Sequence, residues 1–143
     1  MKLHKFSFVF ILAGFLFIGC NKKSTKPSIV GKWVFKEMIY MPGNKLFDEM
    51  EEADKKTQKE EADREMKGTR LEFTEDGHYT ISPPDRLNEE SLHGTYKMSG
   101  QDKLLLKRGD REEQTTIISF PGKNLLRMED QKNHIVMIVE KQQ

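Results

Sequence analysis

The chain has 143 residues with 24 Lys and Arg against 23 Asp and Glu, a formal net charge of +1. That balance argues against nucleic acid as a partner, because phosphate binding needs a concentrated basic face. The length fits a single domain, and the one cysteine, Cys20, excludes an internal disulfide, so stability must rest on an apolar core.

The chain opens with Lys2 and Lys5, runs through the apolar residues 6–18, and then reaches Gly19, Cys20 and a polar string from Asn21. A basic start, a short apolar core and a small residue before a cut are the parts of a bacterial export signal. The apolar run is shorter than the roughly 20 residues needed to span a bilayer. Phe17-Ile18-Gly19-Cys20 resembles the lipobox of bacterial lipoproteins, although Phe17 replaces the usual leucine and Ile18 a small residue. The resemblance implies cleavage before Cys20, a diacylglycerol on its thiol and acylation of its new amino group. It also implies residence in the bacterial cell envelope, held to the membrane by lipid. Asn21 is not the aspartate that retains many lipoproteins at the inner membrane, which points to the outer one. Lys2 and Lys5 leave with residues 1–19, so the remaining chain is slightly acidic. Residues 20–28, with three lysines and a proline, read as the lipidated cysteine and a flexible tether.

Residues 29–143 form the expected domain. Residues 29–40 read as a strand with Trp33 and Phe35 on one face, ended by Met41-Pro42-Gly43-Asn44. Residues 46–66 lack Gly and Pro and are crowded with charge, with Glu51/Lys55 and Glu52/Lys56 at i,i+4. The expectation is one poorly amphipathic helix, docked at its ends, solvated along its length and stopped by Gly68. From Leu71 the period becomes two. Asp76-Gly77 joins two alternating runs in the manner of a hairpin, and a polar loop follows from Pro83 to Glu90. Further strands are expected at 92–96, 103–107, 113–120, 125–128 and 135–139, each bounded by turn residues. Eight short strands in an antiparallel meander predict an all-β fold with one inserted helix. Eight is a number that closes into an up-and-down β-barrel, filled by side chains or holding one small ligand.

Gly31-Lys32-Trp33 resembles the Gly-x-Trp signature of lipocalins, and Phe73-x-x-Asp76-Gly77-x-Tyr79 and Gly94-Thr95-Tyr96 resemble hairpins of lipocalin-like lipoproteins of Bacteroidetes-type bacteria. The resemblance spans about 30–140 and implies an eight-stranded barrel closed at one end by Trp33 under a basic residue, here Arg127 or Lys141. It also implies non-enzymatic binding of a small apolar molecule. Two departures stand out. The Thr-Asp-Tyr motif is absent from 121–124, and the helix follows the first strand rather than the last.

No catalytic grouping is evident. Cys20 is committed to lipid, the serines lack a nucleophile setting and most carboxylates crowd the solvated helix. His78, His93 and His134 begin strands at separated places around the meander, so neither a metal nor another cofactor is expected. Trp33, Phe35, Phe73, Tyr79 and Tyr96 share one strand parity and form the candidate ligand set. With Leu71, Leu104 and Ile117, the same rings could instead simply fill the core. Two functions follow from the two cases: a monomeric carrier of a small apolar ligand, or a filled scaffold whose charged helix or 83–90 loop contacts protein or envelope.

Overall fold

The computed structural model describes residues 27–143; Cys20 and the expected signal peptide lie outside them. Eight strands, β1 (Gly31–Tyr40), β2 (Arg70–Phe73), β3 (His78–Ser82), β4 (Leu92–Ser99), β5 (Lys103–Lys107), β6 (Gln114–Gly122), β7 (Leu125–Asp130) and β8 (Ile135–Lys141), pair antiparallel in chain order. β8 returns to pair with β1 from Trp33↔Lys141 to Tyr40↔Ile135, which closes the barrel. The Asp76-Gly77 turn joins β2 to β3 with Gly77 at φ 84°, the left-handed backbone that a tight hairpin turn requires. The core runs through Trp33, Leu71, Phe73, Tyr79, Leu104, Ile118, Leu126, Met128 and Val139, with residues contributed by seven of the eight strands.

The charged segment departs from its expected form in two ways. It makes two helices, α1 (Lys45–Asp48) and α2 (Glu52–Met66), rather than one. Asn44 caps α1 by accepting from the Phe47 N–H at 3.0 Å, and the Phe47 ring stacks on Tyr40 at 4.5 Å, which binds this turn to the end of β1. Glu51 is extended and begins α2, so the ion pair seen at its first turn is Lys55–Glu52 rather than Glu51/Lys55.

The second departure concerns docking, which beyond the C-terminal end extends along the second half of the helix through polar groups and one small side chain. β2 pairs only with residues 31–34 of β1, so the second half of β1 presents an edge without a strand. α2 covers it. Ala62 is buried, Asp63 accepts from the Met38 N–H at 2.9 Å, and Lys59 bridges Asp63 at 2.9 Å and Glu37 at 3.1 Å. A bulge between Phe35 and Glu37 sends Lys36 to Glu140 and Glu37 to Lys59, two consecutive side chains reaching different exterior partners. Behind the helix, Arg86 of the 83–90 loop donates to the carbonyls of Arg64, Glu65 and Lys67, which closes the C-terminal end of α2.

Candidate functional site

The barrel has two unlike ends. At the end where the described chain begins, Trp33 is only 1% exposed and donates its indole N–H to the Ile29 carbonyl at 2.7 Å. Lys141 extends across its face with Nζ 5.3 Å from the ring centroid and donates to the Val30 carbonyl at 3.1 Å. The basic partner of the tryptophan is therefore Lys141. Arg127 pairs instead with Glu129 at 2.6 Å. Gly31 makes this approach possible: its φ is +132°, and a Cβ there would lie 3.0 Å from the Lys141 Cε.

The other end holds a cavity of about 250 Å³. Its apolar wall comes from Leu71 on β2, Phe73 at the end of β2, Tyr79 and Ile81 on β3, and Leu106 on β5, with Ile135 at the start of β8. Three methionines complete it in register across neighbouring strands, Met128 of β7 opposite Met137 of β8 and Met137 opposite Met38 of β1. Unbranched thioethers adapt to a guest's shape more readily than branched side chains. Gln114 and Thr116 of β6 and Asp130 of β7 supply the polar part of the lining. Asp130 is saturated: its carboxylate accepts from the Lys132 and Asn133 N–H groups, the Asn133 amide and the Gln114 amide, all within 3.1 Å.

The aromatic residues singled out from the sequence are divided between these places. Phe73 and Tyr79 line the cavity. Tyr96 stands behind Phe73, edge to face at 5.2 Å, and donates its hydroxyl to the Thr74 carbonyl at 2.7 Å, so that hydroxyl needs neither ligand nor water. Trp33 belongs to the closed end, because its indole is bound to the chain entry and roofed by Lys141. Phe35 is buried at the bulge and belongs neither to the cavity lining nor to the core cluster around Trp33.

Ile117, expected inside, is half-buried, whereas Thr116 and Ile118 on either side of it are buried. The run Thr115-Thr116-Ile117-Ile118 presents one hydroxyl and one apolar residue to each parity, so alternation alone could not orient β6. That ambiguity hid Gln114 and Thr116. The Met38, Met128 and Met137 row was also missed; its only sequence signal is register, which needs the strand pairing.

Tyr79 lies flat over Gly94, its partner across the β3–β4 ladder, where a Cβ would fall 2.5 Å from the ring and closer still to the Lys107 carbonyl. Burial pushes the Tyr79 hydroxyl above its ordinary pKa, with the Arg108 charge pulling the other way. Among the described residues no three His, Cys, Asp or Glu side chains gather to hold a metal ion, and no helix is long and apolar enough to cross a membrane.

A family profile described as Lipocalin-like domain matches residues 29–125. The fold is similar to the crystal structure of a DUF4847 family protein from Bacteroides vulgatus, with a TM-score of 0.52 at 14% identity, over 79% of this chain and 94% of that one. No curated protein sequence gave a match.

Proposed function

Because the chain belongs to the lipocalin-like domain family, matched over residues 29–125, we propose that its barrel is a non-enzymatic carrier for one small, largely apolar molecule. The observation that carries the reading is the methionine-lined cavity of about 250 Å³. An apolar cavity of roughly 150 Å³ takes benzene, and drug-sized ligands occupy about 300–1,000 Å³. The cavity lies just below that range, so its occupant is at most a little larger than a single ring. Phe73 and Tyr79 are its aromatic contacts; Trp33, Phe35 and Tyr96 support the barrel around it.

The carrier is held at the bacterial envelope by lipid on Cys20, with the outer membrane as its site. The supporting features are the basic start, the apolar run 6–18 and Gly19-Cys20. From Cys20 to Pro27 the chain can reach at most about 25 Å at roughly 3.5 Å per residue. Pro27 and Ser28 lie beside Trp33 and Lys141.

The test is to purify the protein from its native envelope, extract it and analyse both the extract and the amino terminus by mass spectrometry. A stoichiometric small molecule, lost from a Met38→Phe variant with a native circular dichroism spectrum, supports the carrier. A diacylglyceryl, acylated Cys20 supports the anchoring. Empty protein across several growth conditions contradicts the first part, and an unmodified Cys20 contradicts the second.

A further inference from the structure

The composition of the cavity wall says what kind of head group its guest carries, an inference that rests on the carrier reading above. Among the described residues no lysine or arginine lines the cavity. Arg108, half-buried just after β5, stands outside the lining, though its charge is felt at Tyr79. The one ionisable carboxyl group in the lining, Asp130, is held by four donors from its own turn and from Gln114. Its charge repels an incoming anion, because the four donors are neutral and leave that charge uncancelled. A carboxylate buried without a cation is strongly disfavoured.

The neutral polar groups are placed differently. Thr116 is 5% exposed, lines the cavity, and its hydroxyl makes no hydrogen bond to the described residues. Among the described residues no fully buried side-chain oxygen lacks a partner, so this hydroxyl opens onto the cavity, and a guest that bonds to it keeps what an apolar guest displacing water from it loses. Two residues away on the same face of β6, Gln114 spends its amide N–H on Asp130. Its carbonyl oxygen is thereby left as an acceptor. Leu104 and Leu106, the cross-strand partners of Thr116 and Gln114, keep the surroundings apolar.

We propose that the cavity selects a small neutral amphiphile, with a hydroxyl or amide head that donates to Gln114 and exchanges a hydrogen bond with Thr116. Its apolar body lies against Met38, Met128 and Met137. Anionic amphiphiles, fatty-acid anions included, are discriminated against.

The experiment uses the exported chain with Cys20→Ser, so that no detergent is needed, and follows the ¹³C-labelled methionine methyls by NMR. Three probes are titrated: naphthalene, 1-decanol and decanoate. Decanol is expected to shift the Met38, Met128 and Met137 methyls and to bind at least tenfold more tightly than decanoate. Thr116→Val, which keeps the shape and removes the hydroxyl, is expected to weaken decanol three- to tenfold and leave naphthalene unchanged. If naphthalene binds but decanoate equals or exceeds decanol, or Thr116→Val leaves decanol unaffected, the head-group assignment is overturned and the carrier stands. If no probe, naphthalene included, moves these methyls, the carrier reading falls and this inference with it.

Discussion

Gly31 is glycine for two reasons that coincide: its backbone has a positive φ, and the Lys141 stem passes where a side chain would begin. The Gly-x-Trp spacing was legible in sequence because local and tertiary demands meet on adjacent residues there. The choice between Arg127 and Lys141 was not, since only the β1–β8 register places Lys141 opposite Trp33. Lys141→Ala should cost about 0.5–2 kcal/mol, the range for a cation over an aromatic face, and Trp33→Ala about 3–5 kcal/mol; denaturant unfolding measures both. Gly94 faces a similar demand from Tyr79 and from a backbone carbonyl that cannot move aside. Gly94→Ala is expected to lose about 1–3 kcal/mol through overpacking, and unchanged stability would mean that the Tyr79 ring does not rest there.

The two inward tyrosines also set a pH limit. Burial raises the pKa of both, and at Tyr96 the charges of Asp76 and Glu75 raise it further. Unfolded tyrosine ionises near about 10. The stability gained by keeping these phenols neutral is therefore fully present below about pH 10 and is lost as pH rises through their raised values. Urea unfolding from pH 8 to 11.5 should show this decline, and Tyr79→Phe should make it shallower. An equally steep decline in Tyr79→Phe would remove Tyr79 from the account.

At the scale of elements, the strands were readable from alternation and turn chemistry. β6 could be located but not oriented, because its residues satisfy either parity. For α2 the charge run correctly indicated a largely exposed helix. It could not show that Lys59, Ala62 and Asp63 would dock the second half of the helix, since that depends on the uncovered half of β1. Nor could it show that Arg86, some twenty residues downstream, would gather the last carbonyls of α2. Removing that donor exposes helix-end acceptors to water rather than burying them, so Arg86→Ala should cost only about 0.5–1.5 kcal/mol. The more specific consequence is local: amide exchange near 63–69 should quicken, with the barrel strands unaffected. Arg86→Lys should not restore protection, because a single ammonium lacks the planar fork that reaches three carbonyls.

Over the whole molecule, closure and asymmetry have different origins. Closure comes from the number of strands and from the β1–β8 ladder, both of which the meander implied. Asymmetry comes from what occupies each end. Trp33 with Lys141 closes one, while methionines and a short polar patch leave room at the other. One result is that Trp33 fluorescence is a poor reporter of a guest, because the indole lies outside the cavity lining. The central claim is that this room accepts a small apolar body instead of collapsing onto its own side chains. A crystal structure under xenon pressure tests it most directly, since xenon enters apolar cavities without needing any head group. The account predicts a xenon peak enclosed by Leu71, Met38, Met128 and Met137, with the Trp33 end unchanged. Methionine side chains filling that space, with no xenon bound there, would contradict it.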